Sequence, residues 1–486
     1  MNLRTQTSRG LKWQFVSIVG RQFLSLIVFT VLARLLDPAS FGLLGLVAVY
    51  LGFVGMLADQ GISAALVQRG KLEAEHLDSA FWFNFAVSAL LCVTTIIFAG
   101  VIASMFKEPK LASLLRWSSL ALIINSATAV HLALFMREMD FRRPVLRTLF
   151  ANVAGGIIGI SMAVTGFGVN SLIGQQLASA LAGSIFIWNA SNWRPRLKLS
   201  QSHLFQLLTI GGSVFATEIL WFFSSRIDQI AIGRFAGPSV LGQYVVGCKL
   251  SDYARTVVHQ PLASVTLPLF SRLQDNHEQL CKAIYKGMEL NALVSFAIYV
   301  GLAAVAPSLV PFVFGESWKL ASSLLQLTSV YALVMGLFVY CHPALLASGG
   351  PGRYVIVNAT CAVGAVIACI VGLQISVQFL LVCLIINLCF ISSLALSFLK
   401  RRIGLSIKSY CRPIVVPALG SVLMFGVVSI TRLFMDGLFS PSINLGIQVF
   451  VGGFTYIAVI AIFDLKSMCN LREIVFSAIR NRANDV

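Results

Sequence analysis

Runs of roughly 20 apolar residues recur from one end of the chain to the other, separated by short polar connections. A helix of that length crosses the hydrocarbon core of a bilayer, since each residue adds about 1.5 Å. The runs are continuous rather than alternating, which excludes a β-barrel. The pattern predicts an all-α polytopic membrane protein with about fourteen spans. The first lies at 14–36 and the second at 41–67; the third is 79–103, the seventh 208–234, the eighth 241–270 and the tenth 321–347. The last two are 412–434 and 442–463. Several exceed the minimum length, which allows tilt or kinks. The longest connections, 191–207, 271–287 and 399–411, are too short for a soluble domain. The run that follows Arg4, Arg9 and Lys12 is too long for a secretory signal and has no Ala-x-Ala cleavage site, so it reads as a retained first span.

Composition agrees. The chain is 57% hydrophobic and 11% charged with a mean hydropathy of +0.85, where a soluble protein carries about 25% charged residues. A net charge of +17 invites a nucleic-acid reading, but most of the Lys and Arg fall in alternate connections, as in Arg137, Arg142, Arg143 and Arg147. That is the bias of cytoplasmic loops, and it places both termini in the cytoplasm with no nucleic-acid partner. Five basic residues remain inside spans: Arg21, Arg116, Arg226, Lys249 and Arg255. The ten cysteines lie mostly in apolar runs and read as small buried hydrophobes; the six histidines are scattered and suggest no metal site. No phosphate-binding loop, cofactor fingerprint or Ser/His/Asp constellation is present. The expectation is a non-enzymatic protein without cofactors.

An internal repeat is visible. Arg34-Leu35-Leu36-Asp37-Pro38-Ala39-Ser40-Phe41-Gly42 follows the first span, and Arg234-Phe235-Ala236-Gly237-Pro238-Ser239-Val240-Leu241-Gly242 follows the seventh. Arg, Pro and Gly coincide at equivalent helix boundaries. Proline at a helix start is common on its own, because its missing N–H is no loss there; three matched positions point further, to a duplicated six-helix half. Because six is even, the halves enter from the same side, as parallel repeats. The boundaries are then an N-terminal six-helix lobe at 1–190, a basic cytoplasmic linker at 191–207 that holds Arg194, Arg196 and Lys198, a C-terminal six-helix lobe at 208–398, and two extra helices with a tail at 399–486.

The most informative stretch runs from Thr217 to Gln260. It carries Glu218, Arg226, Asp228, Lys249, Asp252, Arg255 and His259 in an otherwise apolar setting. A charge at bilayer depth costs about 2.5–3.5 kcal/mol even on lenient scales, so such groups face protein or a water-filled cavity. Thr217, Ser224, Ser225 and Asp228 share a helical face, with Glu218, Arg226 and Gln229 beside it. Lys249, Asp252, Tyr253, Thr256 and Gln260 share another, flanked by Arg255 and His259. One alternative is a static ion-pair network, to which Asp252 and Arg255 at i, i+3 would belong. The other is a polar cavity lining whose Arg and Lys suit an anionic substrate through charge-assisted hydrogen bonds. In the first span Gln14, Ser17, Arg21 and Ser25 share a face, with snorkelling as the alternative for Arg21. Asp59 and Gln60 sit at the end of the second span, where a helix-end role competes with a lumenal one. Asn358 and Asn387 fit cation binding or interhelical hydrogen bonding.

Longer motifs carry a family resemblance. The stretch Ala33 to Gly42, Ala58-Asp59-Gln60-Gly61 through Gln68, Arg226-Ile227-Asp228-Gln229 through Arg234, Leu241-Gly242-Gln243-Tyr244, and Pro268-Leu269-Phe270-Ser271 through Gln274 resemble Wzx-like polysaccharide export proteins. These form the polysaccharide transport branch of the multidrug/oligosaccharidyl-lipid/polysaccharide exporter superfamily. The resemblance implies two six-helix lobes around a central cavity that opens alternately to either side. It implies export of a polyprenyl-pyrophosphate-linked oligosaccharide across the bacterial inner membrane for surface polysaccharide synthesis. Fourteen spans is similar to colanic-acid-type exporters and the lipid II flippase, where the extra pair helps form a lipid groove. On this reading Arg21, Arg226, Lys249 and Arg255 bind the anionic head group. Glu218, Asp228, Asp252 and His259 are candidates for coupling to H+ or Na+. The expected partners are the lipid-linked oligosaccharide, membrane lipids and a polysaccharide polymerase. A cation-coupled multidrug exporter of the same superfamily is the alternative, and a membrane glycan polymerase or ligase is the alternative of another class; the latter needs a long extracytoplasmic loop that the chain lacks.

Overall fold

The computed structural model describes residue 20, residues 22–435 and residues 438–463. Arg21 and both chain ends lie outside the described residues. Among those described, every regular element is helical and none is a strand. The order is α1 (Gln22–Leu35), α2 (Pro38–Asp59), α3 (Ile62–Gln68), α4 (Ala74–Phe106), α5 (Lys110–Arg137), α6 (Arg142–Val164), α7 (Asn170–Ala190), α8 (Gln201–Phe235) and α9 (Pro238–Arg272). Then come α10 (His277–Phe314), α11 (Lys319–Leu337), α12 (Cys341–Ala347), α13 (Pro351–Gly372), α14 (Val377–Ile403), α15 (Ile407–Cys411), α16 (Val415–Met435) and α17 (Pro441–Phe463). Among the described residues, eleven helices are long and apolar enough to cross a membrane. The chain is an all-α polytopic membrane protein.

Its contacts divide into two compact units, residues 1–245 and 246–486. The first unit packs through small residues and polar links. In the α6–α7 hairpin, a Cβ on Gly155 would meet Ser179 Oγ at 1.9 Å and one on Gly159 would meet Gln175 Cβ at 2.7 Å. Lipid tails are as apolar as leucine, so close backbone approach of this kind replaces hydrophobic drive in holding helices together. Tyr50 on α2 bonds Thr95 on α4 at 2.9 Å, and Cys92 on α4 meets Ser119 on α5 at 3.3 Å.

In the second unit α10 is the central post. Tyr456 on α17 donates to the Leu293 carbonyl at 2.8 Å, and Asn291 donates to the Gly336 carbonyl on α11 at 2.7 Å. The outer faces are apolar, as in Val422, Phe450 and Phe454 of the last two helices, each at least 67% exposed. Asn387 donates to the Cys361 carbonyl across the α13–α14 pair at 3.2 Å, the interhelical use of the two weighed for it.

Two predicted spans are broken. The 41–67 run stops at Asp59 and restarts at Ile62, because Gln60 and Gly61 adopt φ of 47° and 74°. A Cβ on Gly61 would sit 2.4 Å from the Gly211 carbonyl oxygen, so α8 presses on the break and only glycine fits. The 321–347 run breaks between Leu337 and Cys341.

Helix α8 begins at Gln201, inside the stretch read as linker. The residues before it are fastened to the start of α4. Asp78 accepts from the Arg196 N–H at 3.0 Å, Ser79 accepts from the Ser200 N–H at 2.9 Å, and Trp82 donates to the Arg196 carbonyl at 2.8 Å.

Candidate functional site

The repeat motifs meet. A Cβ on Gly42 would lie 1.8 Å from the Pro238 carbonyl oxygen, and one on Gly242 would lie 1.8 Å from that of Pro38. The contact is reciprocal: each helix start presses its proline carbonyl on the other's glycine. Nearby, Gly233 on α8 abuts Leu46 and Leu241, and Gly45 abuts Val245.

Helix α8 leads into this crossing with the first set of charges. Glu218 and Arg226 are exposed, and Asp228 is half-buried. The Asp228 carboxylate accepts from the Tyr244 hydroxyl and, at 2.8 Å, from the Gln229 N–H. Asp228, two turns before the end of α8, is therefore tied to a hydroxyl from the start of α9. The side chains of Thr217 and Gln260, at the two ends of the polar stretch, lie outside the described residues.

Helix α9 carries the second set. Lys249, Asp252 and Arg255 lie in the middle of a 35-residue helix and are all exposed. Arg255 Nη2 and Nε reach Asp252 Oδ1 at 3.0 and 3.1 Å, with the two side chains 45% and 55% exposed. The Lys249 ammonium stands 5.6 Å from the centre of the Tyr253 ring. His259, one turn on from Arg255, is buried: its Nε2 lies 3.1 Å from Ser295 Oγ and its Nδ1 3.3 Å from the Tyr299 hydroxyl. Ser295 in turn donates to Asn291 Oδ1 at 3.0 Å. A polar chain of this kind joins α9 to α10. The structure thus groups Lys249, Asp252 and Arg255 on one exposed face and sends His259 into the packing beside them.

Sequence reasoning passed over a cavity of about 220 Å³ within the first unit. Asp59, Asn84, Ser88, Asn125 and Gln176 line it, from α2, α4, α5 and α7. Asn84 and Ser88 are 3% and 1% exposed, one helical turn apart. Their Oδ1 and Oγ atoms have no hydrogen-bond partner among the described residues. A buried acceptor left unmade costs about 1–3 kcal/mol. The signal available in the sequence was two polar residues at i, i+4 inside the apolar third span.

A second grouping comes from folding alone. His76 and His203 are far apart in sequence, but docking of the linker stacks their rings edge to face at 4.3 Å. With Glu73 they offer ligand atoms within 4.8 Å of one another, the one set among the described residues with metal-ligand geometry. Here His76 accepts the Glu73 N–H at 3.2 Å and His203 lies 3.2 Å from the Glu73 carboxylate, so the set works as a hydrogen-bonded clasp on α4 and α8.

Comparison with known proteins places the chain. The family described as "Polysaccharide biosynthesis protein" matches residues 31–323. The succinoglycan biosynthesis transport protein ExoT of Rhizobium meliloti (strain 1021) is 26% identical over 372 residues, 75% of this chain and 74% of that protein. The lipopolysaccharide biosynthesis protein WzxC of Escherichia coli (strain K12) is 27% identical over 336 residues, 69% of this chain and 68% of that one. In fold the chain is similar to the lipid II flippase MurJ in an inward closed conformation, with a TM-score of 0.75 at 14% identity, covering 93% of this chain and 98% of the other.

Proposed function

Because this chain belongs to the family of polysaccharide biosynthesis proteins, we propose that it is a flippase, carrying lipid-linked oligosaccharide across the bacterial inner membrane for surface polysaccharide synthesis. It is a multi-pass transporter of a membrane-lipid substrate rather than an enzyme. The cargo we assign is a polyprenyl-pyrophosphate-linked repeat unit, handed on to a polysaccharide polymerase. The observation that carries this reading is the face of α9. Lys249, Asp252 and Arg255 are exposed in mid-helix, where contact with lipid would be costly and contact with water or an anionic head group would not.

Arg226, Lys249 and Arg255, together with Arg21 outside the described residues, are assigned to the pyrophosphate. Arginine offers a planar fork that matches phosphate oxygens, and lysine a point charge. Asp252 would hold Arg255 in place until the phosphate competes for it. Asp228, Glu218 and His259 stay assigned, with Asp252, to coupling by H+ or Na+. The cycle is alternating access between two six-helix lobes, 1–190 and 208–398, joined by the linker 191–207. Residues 399–486 add the two extra helices, for about fourteen spans with both termini in the cytoplasm.

The test is transport into sealed inside-out vesicles supplied with a labelled polyprenyl-pyrophosphate oligosaccharide. Protein-dependent arrival of the sugar in the lumen is expected, as is its loss in Arg226→Ala and Arg255→Ala variants that insert normally. Full transfer by both variants overturns the site. Failure to transfer any lipid-linked sugar, with efflux of a soluble cation instead, overturns the function.

A further inference from the structure

We propose that the cavity between α2, α4, α5 and α7 is a binding site for a small monovalent cation of the sodium type, with Asp59 supplying the charge and Asn84 and Ser88 supplying neutral oxygens.

The unmet atoms limit what can occupy the cavity. Asn84 Oδ1 is an acceptor and cannot donate, and Ser88 Oγ has lone pairs to give. Both are buried and on the cavity wall. An occupant that satisfies both must be positive or carry a donor; an anion could accept from the Ser88 hydroxyl but leaves Asn84 Oδ1 unmet, and an apolar group leaves both unmet. Asp59 is the carboxylate among the lining residues, and the amides of Asn125 and Gln176 line the cavity with it. One carboxylate among neutral oxygens calls for a single positive charge. A hard cation with oxygen ligands meets that demand, whereas a transition metal would call for imidazole or thiolate.

The backbone supports the same sign. Asp59 is the last residue of α2, at the break forced by Gln60 and Gly61. A helix C-terminus carries partial negative charge, and interrupted helices in transporters offer such ends to cations. The site stands on its own geometry. Its use in the cycle, as a cation site additional to the coupling residues assigned above, rests on the transport reading.

The experiment is a binding measurement on the purified full chain in detergent, so that it does not depend on transport. Sodium chloride is titrated against choline chloride at constant ionic strength while thermal unfolding is followed. The expected result is a saturating rise in Tm of about 3 °C with sodium and none with choline. Asp59→Asn, which keeps the side chain's size, should abolish the rise, and Asn84→Ala should shift its midpoint about tenfold. Radioactive sodium bound to the folded fraction gives a second readout should either variant fold poorly. No sodium-specific rise in the parent, or an unchanged rise and unchanged bound sodium in both variants, overturns the site and leaves the cavity to water. Sodium binding without sugar transfer in vesicles keeps the site and removes its place in the cycle.

Discussion

The two helix starts at Pro38 and Pro238 do one job with different chemistry. Before Pro38 stands Asp37, in extended backbone at φ −79°, whose carboxylate accepts from the Ser40 N–H and hydroxyl. Before Pro238 stands Gly237 at φ +85°, with no side chain to cap anything. The first turn is set by a hydrogen bond and the second by a backbone shape that only glycine reaches cheaply. Four residues on, the difference disappears: Gly42 and Gly242 each lie against the other turn's carbonyl at the same distance. A duplicated element can thus change how it makes a turn, but not what the turn delivers.

That contrast can be broken in three places, in order of effect. Gly42→Ala or Gly242→Ala puts a Cβ into a backbone oxygen that no rotamer change can relieve. Each is expected to cost about 3 kcal/mol, the upper end for overpacking, and to remove most monodisperse protein from a detergent size-exclusion profile. Equal losses would confirm the reciprocity, and a normal profile for either would refute it. Gly237→Ala is expected to cost about 1–2 kcal/mol, since an L side chain there is strained at positive φ; thermal unfolding of the purified chain reads it. Asp37→Ala should cost about 1 kcal/mol and Asp37→Gly only a few tenths, a gradient that marks a side-chain cap. If Asp37→Gly were as damaging as Gly237→Ala, the two turns would not differ as described.

What the sequence made legible was local. Apolar runs gave the helical membrane class because run length alone decides it. The Asp252–Arg255 pair was visible because i, i+3 geometry belongs to one helix. The two proline turns were visible as a repeat, yet nothing in either predicts that Gly42 would rest under Pro238. That contact, like the clasp of His76 with His203 or the bonds from His259 to Ser295 and Tyr299, joins segments whose separation along the chain carries no period. The cavity was the least legible feature. Asn84 and Ser88 could be seen as polar intrusions in the third span, but a void is a property of how several helices pack. The break at Gln60–Gly61 was partly hidden for a related reason: the carbonyl of Gly211 that leaves no room for a side chain at Gly61 belongs to another helix.

The fastening of the linker has a consequence for register. Ser200, the residue that opens α8, is fixed to Ser79, so the rotation of that helix is counted from a known origin. Each further residue turns the chain by about 100°. Arg226 and Asp228 point where they do because of the number of residues that separate them from Ser200. The bonds at Asp78, Ser79 and Trp82 therefore act as the zero mark of a protractor. One residue inserted just after Ser200 would swing every charge on α8 by about a quarter turn without altering its composition.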